Sequence, residues 1–516
     1  MTEHEHDTLV HRLLARLGGS PADLIQTHIS SILTVGDTVY KLKKPVDFGF
    51  LDYSTLARRK RFCEEEVRIN RRFAPQLYVG VVPVTGSMEA PELEGEGEAL
   101  EYAVKMHRFD TAAQLDNLAA RQGLSDAQCD AVADAAAEMH TGSEPVAADS
   151  DFGAPERVLA PMAENFDLMA SLHADGPLAD SVAGLKAWTL AEHARLVPLL
   201  QKRKAGGFIR ECHGDMHLHN MALFDGRPLF FDAIEFNPYL SHIDIISDLA
   251  FLLMDLEYRG LVQESRRILN RYLERTGDYE AVALLPFYKT YRAMVRAKVL
   301  ALHAAQEIPR EERDGILAEI RRYVALAESY GKKAHPFLAI TSGLSGSGKS
   351  TFALQIVERL GALRLRSDVE RMRLFRGEGK TGNIYSADAT AATYARLAEL
   401  SEMLLGAGCP VVADATFLNT VQRERFETVS EKLGVPFVIL AIACEEAELL
   451  RRLRARAAAK NDVSEADEAV LALQERTREP LTQKEERFAL HLDCADPGVP
   501  AKLSAYLAAP AGRQHD

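Results

Sequence analysis

Eight residues late in the chain, Gly343-Leu344-Ser345-Gly346-Ser347-Gly348-Lys349-Ser350, constrain its fold more than any other stretch. They fit G-x-x-x-x-G-K-[ST] at every fixed position. An apolar run at 337–342 precedes them and a helical pattern at 349–361 follows. The glycines let backbone N–H groups curl around phosphate oxygens, and the start of a helix adds a favourable dipole. The expected nucleotide-binding set is therefore Gly343, Ser345, Gly346, Ser347, Gly348, Lys349, Ser350 and Thr351. Lys349 is expected to reach the β/γ-phosphates and to act in catalysis, and the Ser350 hydroxyl to bind Mg²⁺. Strand and helix patterns alternate from 337 onward, which predicts an α/β unit with a parallel sheet covered by helices.

Within that unit, the next predicted strand ends in Arg366-Ser367-Asp368, followed by Val369-Glu370-Arg371. A carboxylate at the carboxyl end of such a strand faces the phosphate crevice. Asp368 is placed to take a proton from an acceptor hydroxyl while Arg371 holds the acceptor. An alternative use of Asp368, as an N-cap, is compatible with this role. Asp414, in Asp414-Ala415-Thr416, ends the following strand, where it would support Mg²⁺ or hold substrate. Arg451, Arg452, Arg454 and Arg456 crowd one helix before a polar stretch at 459–467, the makings of a mobile lid that delivers arginines to the transferring phosphoryl.

These residues resemble the P-loop kinases that phosphorylate small hydroxyl acceptors: the gluconate kinase, zeta-toxin and polynucleotide 5′-kinase group. The match rests on the glycine-rich loop, Ser367-Asp368-x-x-Arg371, Asp414-Ala415-Thr416 with Arg423, and the arginines before Val463-Ser464-Glu465-Ala466. The resemblance implies Asp368 as the base, Arg452 and Arg456 as catalytic lid residues, and Arg371, Asp414 and Arg423 as acceptor-binding residues.

A second signal lies upstream, in His213-Gly214-Asp215-Met216-His217-Leu218-His219-Asn220, with Asp232 twelve residues after Asn220. An Asp and an Asn five residues apart, then an Asp beyond a short hairpin, is the spacing of a kinase catalytic loop and its metal-binding Asp. Asp215 would orient or deprotonate the acceptor, and Asn220 and Asp232 would hold Mg²⁺. A zinc cluster of His213, His217, His219 and Asp215 is the competing reading, with no second ligand group to complete it. Asp244 and Asp248 read as capping or loop-bracing residues.

This segment resembles the aminoglycoside phosphotransferase and choline-kinase branch of the protein-kinase-like fold, whose loop reads H-G-D-x-x-x-x-N. The resemblance implies an α+β N-terminal domain. Its phosphate lysine would be Lys41 or Lys43, with the preference for Lys41. Glu66 would be the helix partner, and residues 101–106 the hinge against adenine. Two departures stand out: no glycine-rich loop precedes Lys41, and Asp232 is followed by Ala233-Ile234. Asp47-Phe48-Gly49 mimics a metal-binding tripeptide in the wrong place.

The expected organisation is a kinase-like domain at 1–330 (N-lobe about 25–108, C-lobe about 109–330), a linker at 331–336, and a P-loop domain at 337–516. The formal net charge of −14 argues against a nucleic-acid backbone as the main partner. Six scattered cysteines contain no C-x-x-C pair, which reads as free thiols in a reducing compartment. With no apolar run long enough to span a bilayer, the expected setting is cytoplasmic. The function expected is a magnesium- and ATP-dependent phosphotransferase with two sites, each acting on a hydroxyl of a small molecule. Two alternatives are a P-loop kinase regulated by a degenerate, ligand-sensing kinase-like domain, and a nucleic-acid end kinase.

Overall fold

The computed structural model describes residues 1–49, 51–172, 176–332, 335–376, 384–459 and 468–509, and leaves out side chains at 456–459. The chain divides into two units. One comprises Met1–Gly260 with Pro286–Tyr330, the other Leu261–Leu285 with Gly331–Asp516.

The first unit opens with the helix Glu3–Arg16, started by a capping box between Thr2 and Glu5. Its apolar face, Leu9, Val10 and Leu13, packs on a six-stranded antiparallel sheet. The strands are β1 (Leu24–Gln26), β2 (Ser30–Val35), β3 (Thr38–Lys43), β4 (Tyr78–Gly86), β5 (Pro91–Leu93) and β6 (Glu101–His107), in spatial order β1-β2-β3-β6-β4-β5. Gly36, at φ 57°, turns the β2–β3 hairpin. Residues 101–106, expected as a hinge, form the body of β6, hydrogen-bonded to β3 on one side and β4 on the other. The acidic stretch 91–97 contributes β5.

The helix Leu56–Asn70 packs against β4 and β6 and carries Glu66 inward, fully buried. The rest of this unit is helical around Phe166, Met169, Phe251, Met254, Ala293 and Ile320. At its centre, residues 245–256 of the helix Ile245–Tyr258 are all buried, so this helix is apolar on every side but for a few bonded polar groups. Two short ribbons frame the loop around Asp215. β7 (Ile209–Glu211) leads into it, β8 (Met221–Phe224) and β9 (Arg227–Phe230) leave it, and β10 (His242–Asp244) pairs back onto β7.

The second unit is a five-stranded sheet in which every neighbouring pair is parallel. Its strands are β11 (Leu338–Ser342), β12 (Leu363–Arg366), β13 (Val411–Asp414), β14 (Phe437–Ala443) and β15 (Ala489–Asp493), ordered β12-β13-β11-β14-β15. The chain order reverses beside β11, so a crevice opens at the carboxyl ends of β11 and β13. The helix Lys349–Leu360 buries Phe352, Ala353 and Ile356 against the sheet, together with Val499 and Leu503 of the C-terminal helix.

The edge strand β12 is covered by the helix Val262–Thr276, which ends at Gly277 in the left-handed conformation, φ 74°. Asn270 Oδ1 accepts from the Arg364 backbone N–H at 2.8 Å. An edge strand exposes unpaired backbone groups, and here a side chain satisfies one of them. Among the described residues no helix is long and apolar enough to cross a membrane.

Cys444 and Cys494 form a disulfide, against the expectation of free thiols. Fifty residues separate them, but β14 and β15 lie side by side and in parallel, so their exits meet. Cys63, Cys129, Cys212 and Cys409 form no disulfide among the described residues.

Candidate active sites

In the first unit, β3 presents Lys41 and Lys43 to one carboxylate. Lys41 Nζ donates to Glu66 Oε1 at 2.9 Å, and Lys43 Nζ to Glu66 Oε2 at 2.6 Å. Their second partners distinguish them. Lys41 also pairs with Asp232, whose side chain is about half exposed (48 %). Lys43 is sealed away with Glu235 and Tyr53. Burial works against the charge of Lys41, but Asp232 and Glu66 outweigh it and lift its pKa well above the ordinary lysine value. The two lysines hold the Glu66 pKa low against its own burial.

The loop at 213–220 is held from beneath. The His213 and Gly214 N–H groups donate to Asp248, each at 2.9 Å, and the Leu218 N–H to Asp255 at 3.0 Å. Gly214 has φ 83°, and a Cβ there would stand 2.7 Å from the Leu240 carbonyl oxygen, so only glycine fits. Asp215 emerges with Oδ2 accepting from Asn220 Nδ2 at 2.9 Å and lying 3.2 Å from His217 Nε2. Burial alone would raise the Asp215 pKa; His217, Arg296 and His213 more than offset it and keep the carboxylate ionised.

Asp232 has φ 62°, a left-handed conformation unusual outside glycine. Its neighbours are pinned in turn: Phe231 N–H to Asn220 O, Asp232 N–H to Tyr78 Oη, Ala233 N–H to Asn70 Oδ1, and Ile234 N–H to His213 O. The backbone conformation at Asp232 is thus fixed although Ala-Ile follows it. Such strained residues persist where surrounding bonds over-determine them, and they cluster at functional sites.

The three histidines do not converge on a metal. His213 bonds the Phe231 carbonyl, His217 faces Asp215 and Phe251, and His219 turns outward to Asp116. Among the described residues the His140, Cys212 and Asp248 side chains do come together, but Asp248 is engaged with the loop N–H groups. Asp244 caps the helix Ile245–Tyr258 and pairs with buried Arg203. Asp47-Phe48-Gly49 closes a local turn, with the Gly49 N–H on Asp47.

In the second unit, the glycine-rich loop, Asp368, Arg371, Asp414 and Arg452 line one cavity of about 830 Å³. Gly346 and Gly348 have φ 87° and 91°, and a Cβ on Gly343 would stand 2.8 Å from the Ile442 carbonyl oxygen. Lys349 Nζ folds back onto the Leu344 carbonyl at 2.6 Å. Ser350 and Thr351 line the cavity, whereas Ser347 lies beneath the loop, its hydroxyl buried and unpartnered. Asp368 stands in the first turn of the helix Ser367–Phe375, one residue past Ser367; the N-cap is Arg366, so Asp368 does not cap it. Arg371 donates to the Ile384 carbonyl and to Thr390, while its Nε is buried without a partner. Asp414 Oδ2 is likewise buried with no hydrogen bond, 3.9 Å from Arg366 Nε. An acceptor-only oxygen at the cleft with no hydrogen bond suits a hydrated Mg²⁺ ion.

Two family models match the sequence, one before and one after residues 331–336. Residues 42–285 match the model of the phosphotransferase enzyme family, and residues 338–481 match a model described as an AAA domain. The chain joins a phosphotransferase-family domain to a P-loop kinase domain. Uncharacterised proteins of Mycobacterium tuberculosis strain H37Rv and of Mycobacterium bovis are each 28% identical over 459 residues, covering 87% of this chain and 89% of theirs. Among solved structures, a gluconokinase from Sinorhizobium meliloti 1021 is 21% identical, with TM-score 0.26, over 34% of this chain and 94% of its own. A choline/ethanolamine kinase family protein from Mesorhizobium loti is 13% identical, with TM-score 0.35, over 62% of this chain and 99% of its own.

In the P-loop kinase domain, Arg423 is not at the cavity, contrary to the role expected for it. It is 1 % exposed, pairs with Glu485, and donates to the carbonyls of Phe417, Glu479 and Pro480. All of its guanidinium nitrogens are taken up in stapling the chain together. Arg452 is at the cavity, tied to Glu448 and to the Cys494 carbonyl. The side chain of Arg456 and the segment Val463-Ser464-Glu465-Ala466 lie outside the described residues. Gln474, which sequence reasoning missed, caps the loop: its Oε1 accepts from the Ser345 N–H at 2.9 Å. In the phosphotransferase domain, Tyr53, Asn70, Tyr78 and Glu235 were missed. They belong to no motif and act through one or two side-chain hydrogen bonds each.

Proposed function

We propose that this protein is an ATP-dependent phosphotransferase with two catalytic sites, each moving a γ-phosphoryl group to a hydroxyl of a small molecule in a cytoplasmic setting. The observation that carries the reading is the bridge of Lys41 between Glu66 and Asp232 in the same domain as the Asp215–Asn220 pair, matched by a P-loop cleft that gathers Lys349, Asp368 and Asp414. In each domain one cation grips phosphates, one set of groups faces a divalent ion, and one carboxylate is left for the acceptor.

Bound Mg-ATP supplies the phosphoryl group and much of the charge neutralisation. In the N-terminal site Lys41 holds the phosphates, Asn220 and Asp232 face the metal, and Asp215 orients the acceptor hydroxyl and takes its proton. In the C-terminal site the loop N–H groups and Lys349 hold the phosphates, and Ser350 and Asp414 face the metal. There Asp368 takes the proton, Arg371 orients the acceptor, and Arg452 faces the phosphoryl. Positioning and fixed charge are the main contributions such sites make to rate.

The test is ADP release over a panel of hydroxyl acceptors. Lys349→Ala and Asp215→Ala should each remove one activity and leave the other. If Asp215→Ala changes no turnover while Mg-ATP still binds to the Lys349→Ala protein, the N-terminal site is a sensor and not a kinase.

A further inference from the structure

The helix Leu285–Ala304 carries Arg292 and Arg296 one turn apart, and residues so spaced share a face. Arg292 fixes what that face meets. Its Nη1 donates at 2.9 Å to the carbonyl of Gly214, the residue before Asp215, and its Nε to Ser247 O. Burial works against the charge of Arg296, but Tyr323 and then Asp215 are close enough to raise its pKa. Yet Arg296 forms no ion pair among the described residues. Buried arginines elsewhere in this unit do: Arg59 with Glu101, and Arg203 with Asp244.

A second guanidinium, that of the exposed Arg322, also forms no ion pair among the described residues. Arg322 lies over the Tyr258 ring, 4.4 Å from its centroid, and Tyr258 stacks on Tyr323 at 3.8 Å. The hydrogen bond of Arg322 goes to a backbone carbonyl. The neighbouring carboxylates are engaged. Asp255 serves the Leu218 N–H and Arg259, and Glu257 serves Lys289 and Tyr330. Glu319, which influences Tyr258, is exposed. Asp215 therefore has Asn220 on one side and a cationic, aromatic surface contributed by other helices. A half-buried guanidinium without a counter-ion is costly and calls for an anion.

We propose that the acceptor of the N-terminal site is an anion, a hydroxyl compound that also carries a carboxylate or phosphate group held by Arg296 and Arg322. This rests on reading that site as a kinase. The acceptor oxygen would bond to the γ-phosphorus as the β–γ bridging P–O bond breaks. The hydroxyl proton passes to Asp215 and ADP leaves. Cationic acceptors such as amino alcohols would meet like charge beside the base.

The test uses the full chain with Lys349→Ala, which silences the P-loop site. ADP release is measured with gluconate and glycerate (carboxylates), glycerol 3-phosphate and glucose 6-phosphate (phosphates), choline, ethanolamine and kanamycin (cations), and glycerol (neutral). Turnover that needs Asp215 is expected in one anionic arm, and the arm that responds tells carboxylate from phosphate. Arg296→Gln should raise KM for that acceptor by about tenfold or more with kcat little changed, and Arg296→Lys should recover part of it. Arg322→Ala, at an exposed position, should act in the same direction and covers the case in which Arg296→Gln misfolds. Asp215-dependent turnover of the cations or of glycerol, or an anion KM indifferent to both arginines, overturns the inference and leaves the kinase reading standing. Mg-ATP binding with no Asp215-dependent turnover of any compound overturns both.

Discussion

Glu274 accepts two donors from Arg364, Nε at 2.9 Å and Nη2 at 2.8 Å, and Arg364 passes its remaining nitrogen to the Ser350 carbonyl at 3.1 Å. A helix that lies within the phosphotransferase family match at 42–285 thus belongs physically to the P-loop kinase domain and reaches the residue expected to face its metal. The same helix end also holds the helix Ser367–Phe375, through Arg373 donating to the Glu274 carbonyl at 2.6 Å. Glu274→Ala would leave Arg364, 8 % exposed, without its counter-charge. The expected cost is about 3 kcal/mol, because a buried ion pair broken on one side leaves an uncompensated charge. The double change Glu274→Met with Arg364→Met should recover most of that stability but weaken Mg-ATP binding at the P-loop. Urea unfolding and nucleotide titration of the two variants check both halves. Equal affinity in the double variant and wild type would remove the link to Ser350.

How much of this was legible beforehand depended on where the information sits. The loop Gly343–Ser350 and the Asp215–Asn220–Asp232 set are local patterns in which spacing carries the chemistry, and the structure brings each set together. Strands such as β12 and β13 were visible because apolar residues in short runs bounded by turns mark a buried parallel strand. Three things were not legible. Arg423 looks like a ligand-binding arginine in sequence, and only Glu485, sixty-two residues on, shows that it is a staple. Cys444 and Cys494 are joined by strand adjacency, which spacing does not encode. Residues 262–276 form an amphipathic helix, but nothing in such a pattern says which sheet the helix covers.

Asp215 owes its low pKa to His217, Arg296 and His213, which outweigh burial. A depressed carboxylate stays ionised throughout the neutral range, so the acid limb of kcat/KM for the N-terminal activity should lie below the ordinary aspartate value of about 3.9. Replacing His217 by Ala removes the largest favourable charge, so the limb should move to higher pH. A pH profile of the Lys349→Ala protein with and without His217→Ala measures the shift. An unmoved limb would show that Asp215 is not the group titrating.

His6 supplies a stability prediction with a definite sign. It is buried between the first helix and the sheet, with Nε2 3.1 Å from Ser31 Oγ and Nδ1 unpartnered. Burial lowers its pKa to about 4. The unfolded chain, with a histidine pKa of about 6.5, then binds more protons than the folded chain between these values. Stability is therefore complete above the unfolded pKa and falls as pH drops toward the folded one, by about 3 kcal/mol at most. His6→Gln should flatten this dependence. Thermal unfolding between pH 7.5 and pH 4.5, with wild type and variant compared, is the measurement (both pH values being about the ends of the window).

Lys41 and Lys43 share Glu66 but should fail differently when replaced. Lys41→Met removes the cation that faces Asp232, whose half-exposed carboxylate can turn to water. The fold should persist, and Mg-ATP affinity at the N-terminal site should fall by about tenfold or more. Lys43→Met strips the charge from between Glu66 and Glu235, which are 0% and 6% exposed at the side chain. Two buried carboxylates then face each other with Tyr53 beside them, and one must take up a proton for the domain to stay folded. The expected cost is about 3 kcal/mol at neutral pH, easing as pH falls. Changing Glu235→Gln alongside Lys43→Met should restore stability without restoring anything at Lys41. Circular dichroism melts and nucleotide titration on the Lys349→Ala background separate the two roles. If Lys43→Met instead loses nucleotide binding at unchanged stability, the phosphate lysine is Lys43 and the assignment reverses.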